Sequence, residues 1–484
     1  MTASSARIAG APTAPPGGDH EVRRSTRSGA IGLAGAAVNG AFGFALTTVI
    51  TRTFGADGSG ALFTVIGLVT ILGAVCCLGA DTGLMWALPR RPAEAKRLLS
   101  VALLPTLGLA GVVGLTGAFW SGSALMRLAF AGVPVIVAAT VLLAGVRATR
   151  PIQTYVGVQF VFVPIIRPVL LILAGGGLLL GFAGWLVPLA VAALAGLLLG
   201  PGLARPAGWR TFWAFALPRA ASVAIDAGSM WVGVLLTGAL STRAEAGVFA
   251  AVGRYVLAGL LIMQGLRVAI APQLSRLLGA GRISDAAQVY RRTTLWIVVL
   301  SWPAYLLLAV FAPAFLAVFG PEFAGGAIPM AVLAVAMLVN VGVGLVQTVL
   351  LMSGNSRGHL LATVCGLALN LLGCVVLIPG HGALGAAIAW SMGIVCENVL
   401  AAVLARRALG EALFSRTLLL ATSGVVLVTL VAAGLGAAVG GRGLTGLALT
   451  LGLLLAGCLL ALLNGRVRAL LPSSRRHPGK GPSS

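Results

Sequence analysis

The sequence predicts an all-α integral membrane protein with about fourteen transmembrane helices. Hydrophobic residues make up 59% of the 484 residues and charged residues only 9%, whereas a soluble domain carries about 25% charged residues. The apolar residues form long runs, and most basic residues lie in the short segments between those runs. A soluble fold of this length would expose much of this apolar surface to water, but a lipid bilayer accommodates it because the surrounding solvent is itself apolar.

Fourteen apolar runs follow one another along the chain, and each is close to the roughly 20 residues that a helix needs to cross the hydrocarbon core. They cover residues 29–51, 61–81, 98–119, 128–146, 152–173, 178–200, 213–238, 246–270, 293–318, 326–350, 359–378, 382–404, 415–438 and 443–463. A break at 174–177, which contains GGG (175–177), divides one long apolar stretch. Thirteen or twelve spans are the alternatives if this division fails or the last two runs do not cross.

The positions of lysine and arginine support this map. With the amino terminus placed in the cytoplasm, the inward segments and the inward ends of the adjoining spans carry 26 of these residues, and the outward loops carry 4. Cytoplasmic loops hold an excess of basic residues, and a missed helix early in the chain would destroy the asymmetry. We therefore expect a multi-pass protein of the cytoplasmic membrane with both termini in the cytoplasm.

Several functional classes are disfavoured by the composition. The net charge of +22 does not indicate nucleic-acid binding, because the basic clusters separate apolar runs instead of covering one soluble face. The six cysteines lie in apolar stretches without the spacing of a metal site or a disulfide framework. The sequence also has no phosphate-binding loop and no paired carboxylates of an enzyme. We therefore expect no cofactor, no metal and no enzymatic activity.

An internal repeat relates two parts of the chain. TRTFGADGSGALFTV (51–65) and ALSTRAEAGVFAAV (239–252) both leave a helix, turn through small and polar residues, and re-enter at Phe63 and Phe249. Such repeats are typical of transporters built from two pseudo-symmetric halves. The predicted organisation is a disordered tail (1–27), an N-terminal six-helix half (28–210), a C-terminal six-helix half (211–408), an additional helix pair (409–464) and a basic tail (465–484), with SDAAQVYRR (284–292) as a short interfacial helix.

Several segments resemble a known family. They include LGADTGLMWALPRR (78–91), LPRAASVAIDAGSMWVGVLLTGALSTRAEAGVFAAVGRYVLAG (217–259), AVFGPEFAGG (317–326) and VLLMSGNSRGHLLATVCGLALNLLGCVVLIPGHGALGAAIAW (349–390). With TRTFGADGSGALF, they are similar to polysaccharide flippases of the multidrug/oligosaccharidyl-lipid/polysaccharide exporter superfamily, which also contains the multidrug and toxic-compound extrusion (MATE) pumps. One departure concerns Gly233, which stands where relatives often carry an acid in the seventh helix.

The resemblance implies a MATE-like fold and a function. The implied activity is the flipping of a polyprenyl-pyrophosphate-linked oligosaccharide, a precursor of cell-surface polysaccharide, by alternating access. Membrane lipids and a polysaccharide polymerase or glycosyltransferases are the implied partners. The alternatives are an ion-coupled multidrug exporter of the same fold and a non-transporting component of a polysaccharide assembly complex.

Polar residues within the spans are the first candidates for a functional site, because a charge there costs about 2.5 kcal/mol or more. Arg254 lies deep in the predicted eighth helix, where a guanidinium matches phosphate oxygens in a bidentate way. Arg167 lies between Pro164 and Pro168, which bend a helix where it lines a cavity or packs inside the bundle. Candidate substrate contacts are Arg254, Arg167, Asp226, Asn39, Gln159, Gln264, Asn340 and Gln347, and candidate ion-coupling residues are Glu397 and Asp81.

Each candidate also has a structural interpretation. Arg254 and Asp226 are positioned to form an ion pair between neighbouring helices. Glu397 is a hydrogen-bonded structural acid in the alternative interpretation, and Asp81 is an anchor near the membrane interface. The amide side chains are explained equally well by hydrogen bonds between helices.

Overall fold

The computed structural model describes residues 18–410, 413 and 415–463, and these residues form helices and short connections without a strand. Their contacts divide them into two compact units. Unit 1 comprises the described residues up to Leu46 together with Val69–Ile225, and unit 2 comprises Thr47–Leu68 together with the described residues from Asp226 onward. Residues 47–68 were assigned by the sequence to the first half, but their contacts place them in unit 2.

Unit 1 is a set of helices joined by short turns. It contains both end portions of α1 (Gly18–Cys76), then α2 (Ala80–Ala87), α3 (Ala95–Trp120), α4 (Ala124–Thr149), α5 (Ile152–Val156), a π-helical segment (Gly157–Phe162), α6 (Val163–Leu173), α7 (Leu178–Leu199) and the first part of α8 (Trp209–Leu240). The predicted division at 174–177 is confirmed. Gly175 and Gly176 adopt φ angles of 61° and 86° between α6 and α7, a conformation that glycine adopts without steric cost.

Unit 2 contains the middle of α1 and the rest of α8. It continues with α9 (Arg243–Ala258), α10 (Leu261–Gly279), α11 (Ile283–Val310), α12 (Ala312–Leu316), a 3₁₀ segment (Pro321–Gly326), α13 (Ala327–Gly342), α14 (Val346–Met352), α15 (Ser356–Leu409), α16 (Arg416–Gly440) and α17 (Leu444–Leu463). The long helices α1 and α15 are each broken at a glycine, Gly55 with φ 62° and Gly382 with φ 51°. Each is therefore two helical legs rather than one rod.

The last two helices pack on α11. Leu307, Phe311 and Ala314 form an apolar cluster with Ala433 of α16 and Leu447 of α17. At the turn between α16 and α17, Nε of Arg442 donates a hydrogen bond of 2.8 Å to the carbonyl oxygen of Val310.

Buried tyrosines complete the hydrogen bonding where helices of unit 2 break. The N–H of Leu260 donates to Leu257 at 3.1 Å rather than to Val256, and the hydroxyl of Tyr305 donates to the Val256 carbonyl at 2.9 Å. The hydroxyl of Tyr290 donates in the same way to Val343, just after the end of α13. A carbonyl at a helix break loses its helical N–H donor, and the hydrocarbon of a membrane has no water to replace that donor. The tyrosine hydroxyls supply the missing hydrogen bonds.

All fourteen predicted spans fall on helical segments. By length and composition, nine helices of the described residues are suited to cross a membrane, or ten if the bent pair α9–α10 counts as one span, and two of the nine contain the breaks at Gly55 and Gly382. The protein is a multi-pass membrane protein of all-α class, as predicted. The count of fourteen crossings stays a prediction.

Two details of the sequence prediction differ from the structure. SDAAQVYRR (284–292) is not a separate interfacial helix but the beginning of α11, because no proline or glycine follows Ile283 until Pro303. The first helix begins at Gly18 and so includes part of the predicted tail, since no proline occurs between Pro16 and Pro89. Residues 1–17 and 464–484, which hold the rest of the predicted tails, lie outside the described residues.

Candidate functional site

Arg254 lines a small aromatic pocket within unit 2. Four aromatic residues also line this pocket. They are Phe63 of α1, Trp231 of α8, Trp390 of α15 and Phe249, which lies on α9 together with Arg254. The guanidinium carbon of Arg254 lies 5.9 Å from the centroid of the Trp231 ring, and the rings of Phe249 and Trp390 are 6.0 Å apart. The cavity volume of about 30 Å³ is enough for about two water molecules.

The charge of Arg254 is not balanced by any acid that the structure describes. Among the described residues the ion pairs are Arg91–Glu94 and Arg282–Asp285, both within one turn of chain. The side chain of Asp226, the predicted partner, lies outside the described residues. The described surroundings of the half-buried guanidinium are therefore aromatic and aliphatic, an arrangement that stabilises a cation through the ring faces and provides no carboxylate to compete with an anionic ligand.

The two repeated phenylalanines meet in this pocket. Phe63 and Phe249 were identified from the sequence as equivalent positions of an internal repeat, and both line the cavity beside Arg254. The tryptophans were not predicted. Trp231 and Trp390 are 159 residues apart in the sequence, so no local pattern relates them.

Arg167 is bound within unit 1. Its Nε donates a hydrogen bond of 3.2 Å to the carbonyl oxygen of Trp185 on α7, and its guanidinium carbon lies 4.2 Å from the centroid of the same indole. Trp185 is itself buried. These contacts join α6 to α7 beside Pro164 and Pro168, and the predicted role of Arg167 at a substrate cavity stays a prediction.

A second, polar cavity lies within unit 1. Its volume is about 150 Å³, large enough for several water molecules. It brings together Asp81 and Gln159, for which the sequence predicted separate roles. The other polar groups that line it are Thr82, Thr140, Arg147 and Tyr155. The structure thus places a carboxylate, an amide, hydroxyls and a guanidinium around one cavity.

The helix geometry at this cavity is unusual. Tyr155 lies at the end of α5, and Gln159 lies in the π-helical segment Gly157–Phe162. Such π-helical turns often occur at functional sites. The guanidinium carbon of Arg147 lies 5.2 Å from the centroid of the Tyr155 ring. Arg147 was counted in the sequence only as a basic residue between two spans; the structure extends α4 to Thr149 and so brings Arg147 to the cavity.

Asp81 has few hydrogen-bond donors in this cavity. The single bond that it accepts from a described residue is a long one, 3.5 Å from the hydroxyl of the adjacent Thr82. No lysine or arginine of the described chain lies within 4 Å of its carboxylate. The half-buried carboxylate is therefore open to water or to a cation within the cavity.

Glu397 is held by two neutral side chains of unit 2. Its Oε1 accepts hydrogen bonds from Nε2 of Gln347 at 2.9 Å and from the hydroxyl of Thr363 at 3.0 Å. The three residues come from α14 and from the two legs of α15. No basic residue among those described pairs with this carboxylate. The sequence predicted Glu397 and Gln347, but assigned them to different roles and missed Thr363.

The remaining candidates are scattered. Asn39 on α1 and Gln264 on α10 are exposed on the protein surface. Nδ2 of Asn340 donates to the sulfur of Met337 at 3.4 Å on the same helix. None of these three lines the aromatic pocket or the polar cavity. Their predicted substrate roles stay predictions.

Comparison with known proteins supports the fold. No protein-family model and no curated protein matches the chain. An inward-facing multidrug-resistance MATE transporter of the MOP superfamily is similar with a TM-score of 0.60 and 14% identity over 76% of this chain and 94% of that one. The lipid II flippase MurJ, in an inward closed conformation, gives a TM-score of 0.60 and 12% identity over 87% of this chain and 97% of that one.

A third structure is a MOP-superfamily transporter from Pyrococcus furiosus, described as having a binding pocket of reverse polarity. Its TM-score is 0.56, with 14% identity over 80% of this chain and 96% of that one. Identities this low show the fold and no more. The fold of this chain is the one shared by MATE transporters and MurJ, which confirms the MATE-like class predicted from the sequence.

Proposed function

We propose that this protein is a transporter that moves a polyprenyl-pyrophosphate-linked oligosaccharide across the cytoplasmic membrane by alternating access. The chain is oriented with both termini in the cytoplasm, as the distribution of lysine and arginine predicts. The shared fold supports a transporter in general, because the similar structures are MATE transporters and a lipid II flippase. The choice of an anionic substrate depends on Arg254.

The single observation that carries this choice is the guanidinium of Arg254 among aromatic rings without a described acid beside it. A pyrophosphate loses its hydration when it enters the bilayer, and a fixed cation offsets that loss. The effect is larger beside apolar rings than in water, because a low local dielectric strengthens a charged hydrogen bond. The five N–H donors of arginine also match phosphate oxygens in a bidentate geometry.

The carboxylates of Asp81 and Glu397 provide candidate coupling sites. Each lies in a predicted span and lacks a basic partner among the described residues. Glu397 already has two neutral donors on one oxygen, so it retains a local hydrogen-bond network in either protonation state. Binding of a proton or a sodium ion to these groups would make transport depend on an ion gradient.

Leaflet exchange in liposomes tests the substrate. The purified protein is reconstituted with a fluorescent polyprenyl-pyrophosphate disaccharide, and the probe that reaches the outer leaflet is measured with an impermeant quencher. We expect exchange well above protein-free vesicles. Arg254→Ala should lower the rate about tenfold to a hundredfold, because a charge-assisted hydrogen bond contributes about 1.5–3 kcal/mol and 1.4 kcal/mol is a factor of ten.

Two variants control this measurement. Arg254→Lys keeps the charge but loses the bidentate donor geometry of the guanidinium, so its rate should lie between those of the wild type and Arg254→Ala. Arg127→Ala removes an exposed arginine in the first turn of α4 and should leave the rate unchanged. Wild-type exchange in Arg254→Ala, with normal insertion, would remove Arg254 from the mechanism.

An ion-coupled multidrug exporter is the second candidate function. The observation that favours it is the unpaired carboxylate of Asp81 in the polar cavity of unit 1, since an acid attracts cationic compounds. Vesicles loaded with an organic cation and given a proton or sodium gradient distinguish the two functions. Cation efflux without lipid exchange would favour the exporter, and neither activity would favour a non-transporting component.

A further inference from the structure

Two glycine breaks in unit 2 are capped in the same way. Immediately after Gly55, the backbone N–H of Ala56 donates to Oε2 of Glu322 at 2.6 Å. Immediately after Gly382, the N–H of Ala383 donates to Oε2 of Glu245 at 2.7 Å. In both cases a carboxylate from another part of the chain accepts from the first N–H of a new helical leg. Such a position favours an acid, because the N–H groups at a helix start are unpaired and carry partial positive charge.

The two caps differ in what they join. Glu245 lies on α9 and holds α15, so both partners belong to the second half that the sequence predicts (211–408). Glu322 also lies in that half, but it holds α1. The middle of α1, Thr47–Leu68, belongs to unit 2 by its contacts, whereas both ends of the same helix belong to unit 1.

Arg52 makes a second polar contact to the same region. Its Nε donates to the carbonyl oxygen of Val318 at 2.8 Å, and its Nη2 donates to that of Ala317 at 2.8 Å. These two carbonyls follow directly on the end of α12. Arg52 of α1 therefore binds the segment just before Glu322, and Glu322 in turn binds α1 at Ala56.

Between these bonds the helices approach closely. A Cβ atom placed on Gly60 would lie 1.6 Å from the carbonyl oxygen of Arg243, and one placed on Gly247 would lie 2.3 Å from that of Ala56. The middle of α1 thus meets the start of α9 backbone to backbone. Apolar side chains of this segment, such as Phe63 beside Trp231 and Phe249, also pack in unit 2, and the bonds of Arg52 and Glu322 add directional polar contacts at the exposed edge.

We propose that Arg52 and Glu322 form a latch that holds residues 47–68 of α1 against the second half of the protein, and that this latch must open when the transporter opens at this end. The inference rests on the alternating access of the proposed function. Arg52 and Glu322 are both exposed, so water replaces their hydrogen bonds when the contact separates. A latch of exposed polar bonds over a glycine contact is therefore reversible, whereas a buried ion pair would not be.

The accessibility of one engineered cysteine tests the latch without any substrate. Ala56 is only 6% exposed, and both its N–H and its carbonyl oxygen lie at the contact. Ala56→Cys is made in a chain whose exposed Cys458 is replaced by serine, and the rate of its reaction with a membrane-impermeant maleimide is measured. The maleimide is added in separate experiments to the outside and to the inside of the vesicles, and the side from which the cysteine reacts shows on which face of the membrane the latch lies.

Glu322→Gln and Arg52→Gln should each raise the reaction rate of the cysteine about tenfold, because the open state becomes more populated. Glu245→Gln is the matched control: it removes a cap of the same chemistry from a contact within the second half, and it should change the rate less than twofold. Thermal unfolding of each variant shows that the fold is retained. An unchanged rate in Glu322→Gln, or an equal increase in Glu245→Gln, would overturn the latch.

The outcome is separate from that of the transport assay. If no lipid exchange occurs but the latch variants label faster, the substrate assignment is wrong and the latch stands. If exchange occurs and the latch variants label at the wild-type rate, the proposed function stands and the latch is wrong.

Discussion

Replacement of Tyr305 by phenylalanine should destabilise unit 2 by about 2 kcal/mol, within the 1–3 kcal/mol that an unpaired buried polar group costs. Tyr305 is fully buried, and its hydroxyl donates to the Val256 carbonyl at 2.9 Å. The break between α9 and α10, a bend of 42°, directs the N–H of Leu260 to Leu257 instead. The carbonyl of Val256 would therefore lose its described donor in surroundings without water.

This magnitude separates two interpretations of the hydrogen bond. Side-chain hydrogen bonds between membrane helices average only about 0.6 kcal/mol, because each partner usually finds another. A carbonyl at a helix break has no such alternative, so the larger cost is expected. Unfolding of the purified variant in detergent with increasing denaturant gives the free-energy difference. Thr116→Val, which removes the hydroxyl of an exposed residue on α3, is the control and should change the free energy of unfolding by less than about 0.5 kcal/mol.

A loss of about 0.6 kcal/mol or less in Tyr305→Phe would refute the reasoning. It would mean that the Val256 carbonyl finds a new donor when the hydroxyl is removed. Because Arg254 lies in the last turns of α9 before the break, the same variant should also slow lipid exchange. The exchange assay then reports whether the hydroxyl positions Arg254 as well as stabilising the helix.

Two further predictions concern other positions of unit 2. Gly247→Ala should destabilise the protein by about 1–3 kcal/mol, as overpacking does, because the new Cβ would lie 2.3 Å from the carbonyl oxygen of Ala56. Thermal unfolding measures this change. The control is Gly424→Ala, which has nothing within 4 Å of its Cβ position and should be neutral or stabilising. Glu397→Gln should keep the stability within about 1 kcal/mol, since a side-chain amide oxygen still accepts from Gln347 or Thr363, but should abolish any dependence of transport on a proton or sodium gradient. A gradient dependence equal to that of the wild type would exclude Glu397 as the coupling site.

Much of the fold was predictable because lipid imposes a simple rule on the sequence. Each span needs a long apolar run, and the ends of the runs carry basic residues. The GGG that ends α6 was correctly interpreted, since three consecutive glycines disfavour a continuous helix. The beginning of α11 was misinterpreted because SDAAQVYRR is polar, although polarity alone does not end a helix that has no breaking residue.

The candidate site was predicted in part. Arg254, Asp81 and Glu397 were identified because an ionisable residue within an apolar run is costly and so requires a reason. Their surroundings were not predicted, because they depend on contacts between distant residues. Arg147 reaches Tyr155 because α4 continues to Thr149, where the sequence predicted a loop after residue 146. Thr363 contacts Glu397 because the break at Gly382 brings the two legs of α15 together.

Four acids of the described chain hold their carboxylates in structural contacts. Glu94 and Asp285 pair with an arginine three residues away, and Glu245 and Glu322 cap a broken helix. Each of these four has a structural role that explains its presence in a chain with only 11 acidic residues.

Asp81 and Glu397 have neither kind of partner among the described residues, although both lie in predicted spans. Asp81 faces the polar cavity of unit 1, and Glu397 accepts its two hydrogen bonds from neutral groups of unit 2. A half-buried carboxylate without a cation is costly in the bilayer, and the cost falls when it binds a proton or a metal cation. We therefore propose these two residues as the candidates for ion coupling, in preference to the capped or paired acids, and each compact unit contains one of them.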